Sequence, residues 1–377
     1  MYITGIGRTK FGNLSESLPE LAYEAIYASI IDSNLSIKDI DCIIVSNFLG
    51  GPLNGQLQLN SMVASLLPDI HIPIFRIETA CASSSIALNQ SIALLHNFNN
   101  IMVVGVEKMT SDLMMGPTEA IAMAADKEFD LSNGLIFPAS YALIAQQYMR
   151  RYGISHDVLE RVSYINHKNA NLNPFAHFYH KDVTIEMIKN SPMVASPLNL
   201  FDCSPLSDGA VSVIVSNQKR SDRAVKILSS NFVTDSISLT QRKDLTSFKA
   251  VKIASKNAYK ESAVSPRDVD VLEVHDCFTI SELIALEDLN FCKSGQASQL
   301  ICEGYTSRNG ELPVNTDGGL KANGHPIGAT GLAQIYEVVT QIRGEADERQ
   351  IDGVEMGMTH NVGGVGGTAA VTILGMV

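Results

Sequence analysis

A short phrase of sequence occurs twice in this chain at one constant offset, so internal duplication is the first constraint on its fold. Ser36, Asp39, Asp41 and Val45 correspond to Ser265, Asp268, Asp270 and Val274. Each set is a polar turn leading into an apolar run, Cys42-Ile43-Ile44-Val45 in one case and Val271-Leu272-Glu273-Val274 in the other. Ser and Asp suit such turns because their side chains bond the nearby backbone. A helix precedes each turn. Leu21, Ala25, Ala28 and Ile31 put one over residues 18–34, and Val251, Ala254 and Ala258 put another ending near Glu261.

Later segments pair as well. A Gly- or Ser-rich turn opens an apolar helix over 81–95 and again over 328–342. A strand follows each, Ile101-Met102-Val103-Val104 and then 353–358, and each half closes on a β-branched strand, 210–215 and 369–374. Strands alternating with helices imply mostly parallel sheets covered by helices, built twice. Between 111 and 200 the rhythm changes to a Met-rich opening, helices over 139–152 and 156–170, and Asn173-Pro174-Phe175. The expected organisation is an N-terminal core over 1–110 completed by 201–220, an inserted loop domain over 111–200, and a C-terminal core over 221–377. An insert of this kind commonly carries substrate specificity.

At 377 residues the chain is long enough for two or three domains. Charged residues are 18%, against roughly 25% in soluble proteins generally, which predicts surface hidden in sheets or in a homo-oligomer interface. The net charge of −12, without a Lys/Arg block, argues against nucleic acid and anionic membrane as partners. No apolar run approaches the ~20 residues of a membrane span. The start, Tyr2-Ile3-Thr4-Gly5-Ile6, lacks a signal-peptide pattern, and Leu374-Gly375-Met376-Val377 is no peroxisomal address. Six cysteines without C-x-x-C spacing read as free thiols. A cytoplasmic location is expected.

Four segments can carry chemistry. Cys81, in Glu78-Thr79-Ala80-Cys81-Ala82-Ser83-Ser84-Ser85, lies where a helix begins, and the helix dipole and free N–H groups there favour thiolate. His325 lies on a Gly- and Pro-held turn, Gly324-His325-Pro326-Ile327-Gly328-Ala329-Thr330-Gly331, ahead of the matching helix. Pseudo-symmetry would bring it to Cys81, and a Cys–His pair is how a thiol is activated near neutral pH. His275 and Cys277, two apart on an extended segment, share one side of it, and periodicity leaves open whether that side is a cleft or the core. His360-Asn361-Val362-Gly363-Gly364 leads into a strand and not a helix, so it suits an oxyanion better than a phosphate. His177-x-x-His180 lacks the further ligands of a metal site, and no metal is expected. Met109, Met114, Met115 and Met123 read as packing, and Cys42, Cys203, Cys292 and Cys302 as chemically silent.

These segments, in this order, resemble the thiolase superfamily, closest to the sterol-carrier-protein-type thiolases. The resemblance covers the chain from Gly5 to its last strand, including Asp202-Cys203-Ser204-Pro205-Leu206-Ser207-Asp208-Gly209-Ala210. It implies two βαβαβαββ-type halves in five α/β/α/β/α layers. The commonest thiolases have Asn-Glu-Ala-Phe where this chain has His275-Asp276-Cys277-Phe278, and Cys-x-Gly where it has Asn361-Val362-Gly363. The sterol-carrier-type branch shares both departures, with the Cys277 position replacing the missing acid/base cysteine. No fused lipid-carrier domain is expected.

The implied activity is thiolysis of a 3-ketoacyl-CoA or the reverse Claisen condensation. Coenzyme A would be co-substrate, with no permanently bound cofactor. The implied roles are Cys81 as nucleophile, His325 as its base and Cys277 as second acid/base. His275 would act with His325 on the enolate oxygen. Gly363 and Asn361 would line the substrate site, the Gly363 N–H joining that of Cys81 at the oxyanion. Acyl-CoA is the expected partner molecule, in a homodimer or tetramer. The alternatives are a biosynthetic C-acyltransferase or ketosynthase using another donor, and a thiolase-like subunit of a complex with a partner protein.

Overall fold

In the computed structural model, which describes residues 1–111 and 113–376, the first repeat opens with β1 (Tyr2–Arg8), α1 (Leu18–Ser33) and β2 (Cys42–Ser46). Short α2 (Gly50–Asn54) and α3 (Leu59–Ser65), β3 (Ile74–Ile77), α4 (Ser83–Leu94) and β4 (Asn100–Glu107) follow. Next come α5 (Pro117–Ala122), α6 (Phe137–Tyr152), α7 (Asp157–Ala170), α8 (Ile185–Lys189) and a small hairpin, β5 (Met193–Ala195) with β6 (Leu198–Asn199). Then β7 (Gly209–Ser216) closes the repeat. The second repeat runs β8 (Val225–Thr234), α9 (Lys249–Ser262), β9 (Val271–Glu273), α10 (Thr279–Asp288) and α11 (Ala297–Glu303). It ends with α12 (Gly319–Ala322), α13 (Thr330–Arg343), β10 (Met356–Gly363) and β11 (Thr368–Gly375).

The duplication is explicit in the strand order. The first half is ordered β3-β2-β4-β7-β1 and the second β9-β10-β11-β8, with a parallel bridge from Leu272 to Val314 standing where a third strand would be. The halves meet edge to edge where β1 touches β8, at Tyr2–Lys226 and Ile3–Val225. The sheets are mixed, not mostly parallel. β2 runs parallel to β3 and β4, whereas β7 is antiparallel to β4 and β1. In the second half β11 returns directly from β10, and such a tight connection forces antiparallel pairing.

α1 covers β1, β4 and β7 from outside, and α9 covers β8 and β11. α4 and α13 pack on one another, and each also touches strands of both halves, which makes them the middle of five α/β/α/β/α layers. Gly331 is required there. A Cβ on it would lie 2.1 Å from Ser85 Oγ and 2.7 Å from the Ser85 nitrogen, so only a bare backbone lets the two helices cross at their starts. Ser84 Oγ uses the close approach to accept the Leu332 N–H at 3.1 Å. The serine run after Cys81 and the glycines after His325 are thus two sides of one contact.

Two elements depart from the sequence reading. β8 carries no clear apolar signal because Ser229, Ser230 and Asn231 dilute its alternation. β10 begins and ends later than residues 353–358, so His360, Asn361 and Gly363 lie on the strand and only Gly364 to Gly367 form the turn. Every residue of α10 is buried, Glu282, Glu287 and Asp288 included. No helix among the described residues is long and apolar enough to cross a membrane.

Candidate active site

Cys81 sits on a strained elbow between β3 and α4. Ala80, just before it, has φ 50°, a left-handed conformation that costs a non-glycine residue about 1–3 kcal/mol. The elbow is tied from both sides. Glu78 accepts the Ala80 N–H at 2.6 Å, while Ser83 Oγ accepts the Thr79 N–H at 2.9 Å and donates to the Ala80 carbonyl at 2.5 Å.

His325 lies on the turn before α13, and its tautomer follows from its neighbour. The Thr330 hydroxyl donates to the Pro326 carbonyl at 3.0 Å, so it accepts from His325 Nδ1 at 2.6 Å. Nδ1 therefore carries the proton, and Nε2 is free to act as a base. Glu107 fixes the same turn from β4. Its carboxylate accepts the N–H groups of Gly328, Phe48 and Leu49, each at 2.9 Å, and the Asn47 amide at 2.7 Å. Burial pushes Glu107 up to about 7 against these donors.

His275 is polarised the other way. The Asn361 side-chain amide donates to His275 Nδ1 at 2.9 Å, which puts the ring proton on Nε2. Nε2 is buried and has no partner in the protein. Leaving a buried donor unpaired costs about 1–3 kcal/mol, so this N–H is suited to a bound oxygen. The main-chain N–H of His275 approaches His360 Nδ1 at 3.4 Å. Asp276 joins this segment to that of His325, because its carboxylate accepts the Leu320 N–H at 2.6 Å, the Lys321 N–H at 3.3 Å and the Asn166 amide at 2.8 Å.

The tertiary structure brings Cys81, His275 and His325 together, with the sulfur and one ring nitrogen of each histidine within 4.8 Å of one another. The two imidazoles lie edge to face, their centroids 5.4 Å apart. Beside them a cavity of about 220 Å³ exposes Cys81, Cys277 and His325 on a wall that is otherwise mainly apolar, including Phe48, Met109, Ile121, Phe137, Tyr141 and Leu206. Several of these come from the segment between β4 and β7, which therefore shapes the space next to the thiols.

Electrostatics corrects one expectation. Burial pushes the Cys81 thiol up to about 12 although the Gly364 and Cys81 N–H groups favour its thiolate, and burial pushes His325 down to about 3. The resting pair is a neutral thiol beside a neutral imidazole, because desolvation of two charges outweighs the helix terminus. Cys277 is likewise raised by burial and then by Cys81, and His275 is lowered by burial and then by His325 and His360. His275 is thus no imidazolium that could depress the Cys277 pKa.

Neither Gly363 nor Asn361 lines this cavity. Gly364 lines it beside Cys81, and its N–H favours the Cys81 thiolate. Gly363 instead packs its α-carbon on the nucleophile segment, where a Cβ would lie 2.6 Å from the Thr79 carbonyl. The Asn361 side chain bonds His275 instead. Elsewhere, His177 bonds Ser207 at 2.9 Å while His180 lies tilted against the Tyr179 ring, so they do not act as a pair. Cys42 is strand core, Cys203 lines the cavity, and Met109 lines it too whereas Met114 and Met123 are exposed. Glu107 and Tyr141 lie outside the segments that local sequence marks. The only local sign of Glu107 is an acid at the end of an apolar run.

Comparison with known proteins places the whole chain in one family. Residues 1–219 match the family model described as "Thiolase, N-terminal domain", and residues 232–376 match "Thiolase C-terminal domain-like". An acetyl-CoA acetyltransferase of Methanothermobacter thermautotrophicus is 43% identical over 98% of each chain. Sterol carrier protein 2 of Bos taurus is 30% identical over 100% of this chain and 72% of its own length. Among solved structures, the Ltp2-ChsH2(DUF35) aldolase superposes with a TM-score of 0.88 at 26% identity, covering 100% of this chain and 97% of that one.

Proposed function

The chain belongs to the thiolase family, and on that premise we propose that its acyltransferase chemistry runs through Cys81, His325, Cys277 and His275. The observation that carries this reading is the meeting of Cys81, His275 and His325 within 4.8 Å beside an apolar cavity that also holds Cys277. The three act as nucleophile, base and hydrogen-bond donor, and not as metal ligands.

In thiolysis, His325 Nε2 takes the Cys81 proton as the sulfur attacks the 3-keto carbon of a 3-ketoacyl-CoA. Concerted transfer is required because neither partner is charged at rest. The oxyanion meets the Gly364 and Cys81 N–H groups. C2–C3 then breaks, its electron pair goes to C2, and the enolate oxygen of acetyl-CoA accepts a hydrogen bond from the His275 Nε2–H. Cys277 gives its proton to C2. A second coenzyme A thiol returns a proton to Cys277, and its sulfur displaces the acyl group from Cys81, which regains the proton held by His325. The reverse path is the Claisen condensation. Coenzyme A is a co-substrate throughout.

In this reading residues 111–200 are the specificity-bearing insert on a core of 1–110, 201–220 and 221–377. The chain works in the cytoplasm as a homodimer or tetramer. The likeness to the Ltp2-ChsH2(DUF35) aldolase favours a second reading, in which the chain acts in complex with a partner protein. Native mass spectrometry of the complex recovered from its host distinguishes the two. The catalytic assignment is tested by incubation with acetyl-CoA, acid quench and peptide mass mapping. An acetyl adduct on Cys81 that survives exhaustive chelation supports it, and a main adduct on any other cysteine refutes it.

A further inference from the structure

Cys81, His275 and His325 also form a donor set that a soft divalent cation fits. The sulfur and one ring nitrogen of each histidine lie within 4.8 Å of one another. Zinc takes Cys sulfur at about 2.3 Å and His nitrogen at about 2.0–2.1 Å in a tetrahedron, which sets neighbouring ligand atoms roughly 3.5 Å apart, so shifts of about an ångström close the set. Both imidazoles are buried, and each has its Nδ1 held by a neighbour, Thr330 at 2.6 Å for His325 and Asn361 at 2.9 Å for His275. Nε2 is therefore the nitrogen left over on both rings. Metal-binding histidines are oriented in the same way, by a bond at the nitrogen that does not meet the metal.

The Asn361 amide supplies an independent observation. It is 1% exposed, and among the described residues neither its Oδ1 nor His275 Nε2 has a partner. In the catalytic tautomer the amide donates to His275 Nδ1, and Nε2 keeps its hydrogen. A half-turn of the amide about Cβ–Cγ offers Oδ1 to an Nδ1–H instead, and Nε2 becomes a lone-pair ligand. The Asn361–His275 bond survives the exchange, and no charge is created.

We propose that the resting trio of Cys81, His275 and His325 is a reversible inhibitory site for zinc-class divalent cations, with Asn361 switching His275 between its catalytic and its ligand tautomer. Binding breaks the Cys81 S–H bond and forms a metal–sulfur bond, and the proton goes to solvent, since a coordinating thiol is deprotonated outright. Both histidines bind as neutral rings. The cavity that Cys81 and His325 line gives the ion a way in and room for water as a fourth ligand. An acyl group on Cys81 removes the thiolate ligand, so metal and acyl-enzyme exclude one another. During turnover none of the three is a ligand, and the ion is an inhibitor and not a cofactor.

Binding follows from the donor set, whereas inhibition rests on the catalytic roles given above, and the test separates the two. Metal-free enzyme is titrated with Co²⁺ alone, whose visible spectrum reports thiolate ligation and tetrahedral geometry, and then with Zn²⁺ in competition. A thiolate-to-cobalt charge-transfer band at one ion per chain is expected, lost in Cys81→Ala and kept in Cys277→Ala. Asn361→Asp can only accept from His275 Nδ1 and is expected to tighten binding by about 10–100-fold, the usual weight of such a partner. Acetylating Cys81 of the wild-type protein with acetyl-CoA should release the ion, and this arm decides the matter should the variants fold poorly. No thiolate band in wild type, a band that persists in Cys81→Ala or on the acetylated enzyme, or unchanged affinity in Asn361→Asp overturns the proposal. An enzyme that acetylates on Cys81 but gives no band overturns it while the catalytic reading stands. A band without any acetylation overturns the catalytic reading, and with it the inhibitory role.

Discussion

Asn361 donates its side-chain amide to His275 Nδ1 at 2.9 Å, and this bond leaves the His275 proton on the buried, unpaired Nε2. The two residues should behave as one unit. His275→Ala is expected to lower kcat about 10²–10³-fold, the usual loss of one oxyanion donor. Asn361→Ala should lower it by roughly tenfold, because the ring remains but is free to change tautomer. The double variant should be no worse than His275→Ala alone, since coupled groups are not additive. Steady-state thiolysis of acetoacetyl-CoA reads all three, and additive losses would separate Asn361 from His275.

Cys81 should be slow to alkylate at neutral pH. Its thiol is pushed up to about 12 and His325 is pushed down to about 3, so the ion pair is scarce near pH 7. The rate of iodoacetamide labelling is expected to climb close to tenfold per unit from pH 7 to pH 9, without a plateau. Stopped-time mass spectrometry of the Cys81 peptide measures it. A rate already flat above pH 6 would mean a resting thiolate.

Cys277→Ala should separate two half-reactions. Acylation of Cys81 depends on His325 and should persist, while thiolysis and condensation fall by about 10²–10⁴-fold for want of the α-proton carrier. His325→Ala should damage acylation as well. Burst and steady-state rates are compared after circular dichroism shows both variants folded. Turnover within a few-fold of wild type in Cys277→Ala would make that thiol a packing residue.

His156 ties α7 to the segment re-entering the core. Its Nε2 lies 2.8 Å from Asp202 and its Nδ1 3.1 Å from Glu160, and Asp202 also accepts the Thr279 hydroxyl at 2.7 Å beside the Cys277 loop. Hydrogen bonding to Asp202, more than compensating the burial that opposes it, raises His156 to about 9. A raised cationic group stabilises the fold fully below its unfolded value of roughly 6.5 and loses that contribution as pH climbs through its folded value. The melting temperature of wild type relative to His156→Gln should therefore shrink between about pH 6.5 and 9. A difference that grows over that window would reverse the sign and remove the ion pair from the account.

Local sequence was enough to mark the duplication and the segments that carry Cys81, His325 and His275-Asp276-Cys277, because each depends on spacing within one element. The repeated Ser–Asp turns, the Gly and Ser runs at two helix starts and the β-branched closing strands are readable without knowing what they touch. Protonation and aim were decided only by tertiary contacts. Which nitrogen of His275 donates depends on Asn361, far along the chain. The expectation that a helix terminus would ionise Cys81 failed because desolvation is set by everything packed around the sulfur, which no local motif records. The same holds for Glu107, Asp276 and Tyr141. Each is an ordinary acid or aromatic in its own segment, and each takes on its role only where two halves and an insert, distant in sequence, fold against one another.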